Sequence, residues 1–389
     1  MTKKRILTGD RPTGRLHLGH YVGSLKNRVK LQDEYECFFI IADLHTLTTQ
    51  PEKTGELSEN IRQLILDYLS VGIDPEKSTI YLQSQIPEVA ELAVIFSNLI
   101  SVPRLQRVPT LKDVMRDAHI EIPSMGLLGY PVLQAADILM VKADLVPVGR
   151  DQASHIEVTR EIAREFNRLY PLGALRSPRQ FGESSNASVL RRVKRGSDTL
   201  ALRARLVKTS PHAEVPRADD EVAVFPIPEA LIPEDIGTLP GTDGKAKMSK
   251  SAGNVINISD DSQTVRKKVM GMYTDPTRVH GDEPGSVEGN PVFTYLDAFK
   301  HETGNKKQET KVDELKGKYR KGTIGDVQVK EFLFEVLEEF LAPIRQSRIR
   351  FEKQPELIDQ ILKDGTAKAC VEAQKTLAEV KCAMKIDYP

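Results

Sequence analysis

The chain has 389 residues, with 55 Lys plus Arg against 55 Asp plus Glu, 40% hydrophobic and 28% charged residues. This is the composition of an ordinary folded protein long enough for two domains, and no overall basic field advertises a nucleic-acid partner. No apolar run has the length of a signal peptide core or a bilayer span. The scattered cysteines Cys37, Cys370 and Cys382 form no C-x-x-C pair, so a disulfide framework, a zinc ribbon and a membrane role are set aside and a cytoplasmic, reduced protein is expected.

The stretch RILTGDRPTGRLHLGHYVG, residues 5–23, reads as a strand (5–8), a Gly/Pro turn (Gly9, Pro12, Gly14) and a helix from near His17 that buries Leu18, Val22, Leu25 and Val29. A helix start leaves backbone N–H groups unpaired and carries a positive dipole end, so it suits a phosphate chain. His17 and His20, three apart, share a helix face with Gly19 between them. Both rings can therefore donate to one anion while the glycine admits a ligand to the backbone. Taken alone, such a pair is as often a surface accident as a site.

CFFIIA, residues 37–42, is a fully apolar run of strand length, typical of a parallel strand buried on both faces. It ends in Asp43, Leu44 and His45, at the strand edge where open α/β sheets keep ligands. Residues 52–71 read as a helix, 79–82 as a strand and 88–100 as a helix. This alternation predicts a doubly wound parallel sheet. Residues 103–123 lack a period and are expected to be mostly irregular, with one helical turn near Leu111. A helix is predicted over 124–140, broken or kinked by Pro131. A strand at 144–148 leads into Gly149-Arg150-Asp151-Gln152 and a helix to about Leu169, with Asp151 at its start.

Residues 171–221 change character, with eight arginines among Ser, Pro and Gly. A solvated surface insertion and a basic flap facing a nucleic-acid partner both account for it. Apolar periodicity returns at 224–231, and 240–252 is a Gly- and Lys-rich loop. From 259 onward the signals are helical only: 260–272, 291–301, 312–319, 325–348 and a pair at 355–363 and 366–385. The expected organisation is a Rossmann-type catalytic domain over 1–258 and an all-helical domain over 259–389.

Lys247-Met248-Ser249-Lys250-Ser251 places two ammonium groups and two hydroxyls on a glycine-flanked loop. Such a loop can clamp a polyphosphate and neutralise charge that develops as pyrophosphate leaves. HLGH in a first strand–helix turn, joined to KMSKS after the sheet, resembles the paired signature of class I aminoacyl-tRNA synthetases. The segments GDRPTGRLHLGHYVGSL, YPVLQAADILMVKADLVPVGRDQASHIEVTREIAREFN, VFPIPEALI and GKAKMSKSAGNVI are similar to those of bacterial tryptophanyl-tRNA synthetases, and the similarity runs over nearly the whole chain.

The resemblance implies that the carboxylate of L-tryptophan attacks the α-phosphorus of ATP, and that the adenylate then acylates tRNA(Trp). His17, His20, Lys247 and Lys250 would carry the catalysis. Arg11, Pro12, Thr13, Gly19, His20, Gly149, Arg150, Asp151, Gln152, Ile236 and residues Lys247, Met248, Ser249, Lys250 and Ser251 would hold ATP. Asp137 would accept the indole N–H, a donor with no acceptor capacity, between Leu7, His45, Tyr130 and Gln134. An aspartate satisfied by a neighbouring Lys or Arg is the competing reading of Asp137. Mg²⁺ would arrive with ATP, held by phosphates and water. A homodimer is implied, with one tRNA spanning both subunits and the C-terminal helices reading the anticodon.

Two departures stand out: Gln134 where many members carry methionine, and Arg150 where many carry an acid. The rivals are a tyrosyl-tRNA synthetase, a small nucleotidyltransferase using the same histidine turn, and a non-catalytic RNA-binding paralogue. Lys300, Lys306, Lys307, Lys311, Lys316, Lys318, Arg320 and Lys321 form a basic run that fits either tRNA phosphates or a solvated face.

Overall fold

The structure, a computed structural model, describes residues 3–117, 120–149, 153–171, 223–232, 239–244, 247–250, 252–274, 278 and 283–388. Five parallel strands form one sheet: β1 (Arg5–Asp10), β2 (Glu36–Ile41), β3 (Ser78–Leu82), β4 (Leu145–Pro147) and β5 (Glu229–Leu231). Their spatial order is β3-β2-β1-β4-β5, with β1 paired to β2 and to β4. The order reverses at β1, so the crevice outside its carboxyl end is the switch point where such sheets bind ligands. Both HLGH and Asp10 follow from that end.

β1 and β2 are apolar because helices cover both sheet faces. Ile6, Phe39 and Ile41 pack into one core with the helices that follow, and Leu7, Phe38 and Ile40 into the other. After β1 come a single turn α1 (Leu18–His20), a π-helical stretch (Tyr21–Leu25) and α2 (Lys26–Glu34). α3 (Asp43–Leu47) and α4 (Leu57–Ser70) follow β2, and α5 (Pro87–Ser97) follows β3.

Two readings need correction here. Residues 103–123 contain α6 (Val102–Gln106) and α7 (Pro109–Asp117), because prolines in first turns start short helices that sequence periodicity is too brief to reveal. α8 (Met125–Met140) runs unbroken through Pro131, capped by Ser124, whose hydroxyl accepts from Leu127 N–H at 3.1 Å. An interior proline costs about 3 kcal/mol. α8 offsets this by burying Val132, Ala135, Ile138, Leu139 and Met140 between α5 and α9 (Ala153–Leu169). The expected insertion at 171–221 lies outside the described residues beyond Pro171.

The C-terminal half comprises α10 (Ser262–Met270), α11 (Pro291–Phe299), α12 (Lys306–Arg320), α13 (Asp326–Glu352) and α14 (Pro355–Met384). The predicted terminal pair is therefore one 30-residue helix. Gly365, which lies between the two predicted helices, allows α14 to lie against the free edge of β3. A Cβ there would sit 1.9 Å from Ile80 O and 3.1 Å from Ile80 N. Leu82 N–H, on the same strand, donates to Thr366 Oγ1 at 3.1 Å. Among the described residues no helix is long and apolar enough to cross a membrane.

Gly365→Ala should therefore destabilise the fold despite the roughly 1 kcal/mol helix-propensity gain of alanine over glycine. The obstruction is backbone, so a net loss of about 1–3 kcal/mol is expected in urea denaturation. Gly317→Ala on α12, where an added Cβ meets nothing within 4 Å, should instead stabilise.

Candidate active site

The turn after β1 is shaped by Gly14, whose φ of 103° excludes ordinary side chains, and it delivers His17 as the N-cap of α1. The backbone N–H groups here are largely taken. Leu16 N–H donates to Asp67 Oδ2 at 2.7 Å, His17 N–H to His20 Nδ1 at 3.2 Å, and Leu18 N–H to Ile256 O at 2.9 Å. Those of His20 and Tyr21 both reach His17 O. The expected row of free amide donors is thus largely absent, and the polar groups left at the turn are side chains.

His20 Nδ1 accepts a backbone hydrogen bond, so the neutral ring carries its proton on Nε2, as a donor. The His17 and His20 rings lie 3.8 Å apart, and His17 Nδ1 is buried without a hydrogen-bond partner among the described residues. Burial, His20 and the charges of Lys250 and Lys247 pull the His17 pKa down to about 3, with Asp10 opposing. Burial likewise takes His20 to about 4; Asp10 opposes this, and Lys250, Arg28 and Lys247 add to it. Both imidazoles are neutral near pH 7.

The lysine-rich loop meets this turn directly. Lys250 Nζ donates to Gly14 O at 2.9 Å and Thr13 O at 3.3 Å, and burial lowers its pKa. Met248 is buried, its sulfur 3.4 Å from where a Cβ on Gly19 would stand; His17 ring atoms are 3.0 Å from the same point. Gly19 is therefore required by the approach of the loop and of His17 as much as by any ligand. The loop is pinned by an antiparallel bridge from Pro240 to Lys247, and Asn254 Oδ1 accepts Ser249 N–H at 2.8 Å. Lys247 itself is exposed.

Beneath the turn, Asp10 Oδ2 accepts from Arg28 Nη1 and Tyr68 OH, each at 2.7 Å. Burial would raise the Asp10 pKa, but Arg28, His20 and Tyr68 take it down to about 2. Asp10 stays ionised and supplies the negative charge facing His20 and Lys250.

At the carboxyl ends of β2 and β3, Asp137 is 2% exposed. His45 Nε2 lies 2.9 Å from its Oδ2, and Gln83 Nε2 donates to Oδ1 at 3.0 Å and Oδ2 at 2.8 Å. Burial raises its pKa, while His45 and Gln83 oppose. No Lys or Arg forms an ion pair with Asp137 among the described residues. A carboxylate offers about four acceptor positions. Three contacts leave room for one further donor.

Leu7 is buried, and Tyr130 and Gln134 are half-buried on the same helix as Asp137. The Tyr130 ring is 6.4 Å from His45, and its hydroxyl lies 2.6 Å from His155 Nε2 and 3.2 Å from Thr110 Oγ1. Arg11, bonded to Thr49 Oγ1 at 3.4 Å, lies within electrostatic reach of Tyr130 and so connects the turn after β1 to this pocket. Pro12 is buried, Thr13 exposed and Gly149 half-exposed at the end of β4. Arg150, Asp151, Gln152, Ile236 and Ser251 lie outside the described residues.

A family model described as tRNA synthetases class I (W and Y) matches residues 2–188 and 200–342. The chain belongs to this synthetase family. It is 50% identical over 98% of its length to a tryptophan–tRNA ligase of Treponema pallidum, covering 96% of that protein. A tryptophan–tRNA ligase of Borreliella burgdorferi is 47% identical, over 98% of this chain and 93% of its own. A crystal structure of tryptophanyl-tRNA synthetase from Campylobacter jejuni, complexed with ADP and tryptophan, is 30% identical with a TM-score of 0.74, covering 98% of this chain and 99% of that one.

For this synthetase, Gln83, Asp10, Asn254, Thr110 and His155 are site-forming residues that sequence reasoning missed. Gln83 and Asp10 each sit at or just past the carboxyl end of a strand, the one signal that pointed to them.

In the ligand-free synthetase the His17 and His20 ring resonances should titrate near pH 3 and 4 in NMR. A midpoint near 6.5 for either would contradict the burial argument. The sign for stability follows. In the unfolded chain both rings bind protons below about 6.5 while the folded state refuses them. Their contribution thus falls as pH drops from about 6.5 toward 3 and is constant above about 6.5.

Proposed function

We infer that this synthetase is a tryptophan–tRNA ligase. It activates L-tryptophan with ATP to tryptophanyl-adenylate and pyrophosphate, then transfers the acyl group to tRNA(Trp). The observation that carries the reading is the meeting of Lys250 and Met248 with the His17–His20 turn, in a chain whose buried Asp137 forms no ion pair with a Lys or Arg among the described residues.

In this reading His17, His20, Lys247 and Lys250 stabilise the triphosphate. The tryptophan carboxylate oxygen forms a bond to the α-phosphorus as the bond to the bridging oxygen of pyrophosphate breaks. Neutral imidazoles donate hydrogen bonds without a proton having to move, and the ammonium groups offset charge building on the leaving group. Arg11, Pro12, Thr13, Gly19, Gly149, Arg150, Asp151, Gln152, Ile236, Met248, Ser249 and Ser251 complete the ATP site. Asp137 receives the indole N–H against Leu7, His45, Tyr130 and Gln134. Tyrosine's hydroxyl, donor and acceptor at once, is the poorer match for a lone carboxylate acceptor.

Mg²⁺ is proposed to travel with the ATP phosphates, neutralising them. Asp10, the carboxylate facing His20, is already committed to Arg28 and Tyr68. Among the described residues no group of three acidic, His or Cys side chains is placed to hold a metal by itself.

Residues 1–258 would carry the chemistry and 259–389 would face tRNA. The basic run on and around α12 is narrower than its sequence suggests. Lys300 and Lys316 pair with Asp297, Lys311 with Glu335, Lys318 with Glu314 and Arg320 with Glu288. Lys306, Lys307 and Lys321 are exposed and are the stronger candidates for phosphate contact. A homodimer is supported by an apolar surface where Met125, 89% exposed, lines one shallow groove with Leu44, Leu47 and Ala93. A cytoplasmic location is part of the same reading, and the cysteines are free thiols.

Pyrophosphate exchange into ATP should depend on tryptophan and not on tyrosine; exchange with tyrosine alone overturns the assignment. Asp137→Asn should raise KM for tryptophan about 10- to 100-fold, the loss of a charge-assisted hydrogen bond worth about 1.5–3 kcal/mol. KM for ATP should hold. His20→Ala should instead lower the exchange rate itself, about 10²–10³-fold for the removal of one transition-state donor.

A further inference from the structure

The Leu16 N–H that precedes the histidine turn is satisfied by Asp67, a fully buried residue on α4. The second oxygen of that carboxylate is bonded to Nη1 of Arg348, far along the chain on α13, whose side chain is 6% exposed. Arg348 is itself oriented on every side. Its Nη2 is bonded to Gln63, one turn before Asp67 on α4, and its Nε donates to Glu352 Oε1 at 2.9 Å. A guanidinium clamped at three nitrogens has little freedom, and its position passes through Asp67 to the backbone just before His17.

We propose that Arg348 is a positioning residue for the nucleotide-binding turn, acting through Asp67 rather than by touching substrate. This rests on the reading above that the turn holds ATP.

Three observations support it. Leu16 is gripped on both backbone groups, because Ile258 N–H donates to Leu16 O at 2.9 Å while Asp67 holds its N–H. The turn thus cannot shift unless that grip is released. Second, the carboxylate accepts from Leu16 and from Arg348 through different oxygens, so neither bond substitutes for the other. Third, burial raises the Asp67 pKa to about 6, with Arg348, Leu16 N–H, Lys250 and Arg15 opposing the rise. Arg348 is the largest of the opposing influences, so its charge is what chiefly keeps the acceptor ionised at neutral pH. Among the described residues the other charged group paired with Arg348 is Glu352.

The test is tryptophan-dependent pyrophosphate exchange against pH for the wild type, Arg348→Met, Arg348→Lys and the double variant Arg348→Met with Asp67→Asn. In Arg348→Met, kcat should fall about 10- to 100-fold at pH 7, the scale of a small misplacement of catalytic groups. Its acid limb should move upward, so that activity recovers toward pH 9, while KM for tryptophan stays within about twofold. Arg348→Lys keeps the charge and should restore the native limb. The double variant buries no unpaired charge; it should fold, remain slow and lose that limb. NMR of the ligand-free Arg348→Met protein should show displaced His17 and His20 resonances.

Wild-type kcat and an unmoved limb in Arg348→Met, or wild-type kcat in the double variant, would overturn the proposal. So would a uniform loss in every variant that tracks melting temperature alone. A wild-type protein without tryptophan-dependent exchange would instead overturn the reading of the turn as an ATP site, a separate failure.

Discussion

Burial of two imidazoles beside one ammonium group sets the electrostatics of this site. Lys250, docked on the Gly14 carbonyl, brings a positive charge beside two imidazoles whose rings are tilted to one another, in a half-buried place. Burial, with the lysine's charge adding to it, holds His17 and His20 neutral. The charge itself is balanced from below by Asp10 and Asp67, the groups that favour the protonated lysine. An anion arriving at the turn thus meets donors that need no proton and a cation whose countercharges are fixed in the protein. That is preorganisation in the physical sense: the dipoles are already oriented before charge develops.

The same arrangement explains why the two motifs need not be neighbours in sequence. The turn and the loop share a core through Met248 and Leu18, and short bridges at His17–Asn257 and Pro240–Lys247 align their backbones. Burial of the methionine thus helps set the distance of Lys250 from the turn. The pocket around Asp137 is built differently. Its carboxylate stands at the open end of the sheet, held by a histidine and an amide from two other strand ends, so three crossovers must close correctly before it exists.

Much of the sheet was legible because parallel strands buried on both faces leave continuous apolar runs such as residues 37–42. The motifs were legible because HLGH and KMSKS combine residue types whose joint meaning is narrow. What escaped was tertiary in origin. Pro131 reads locally as a helix breaker, yet α8 is held by packing, and the predicted break between 363 and 366 is absent because α14 runs on through Gly365, which lets it reach Ile80. The partners of the site residues escaped for the same reason. Gln83, His155 and Asp67 carry no periodic or motif signal, and only the closing of β–α units brings them beside Asp137, Tyr130 and Leu16.

The way α14 lies along β3 bears on how the molecule is made. β3 is an outer strand, and its free amide and carbonyl edge is a template for pairing with other chains until something covers it. The cover is synthesised long after the strand. A nascent chain therefore carries a naked sheet margin through most of its emergence from the ribosome, and truncation before Gly365 would leave that margin bare. Vectorial synthesis thus places a long interval between the birth of the sheet and its sealing.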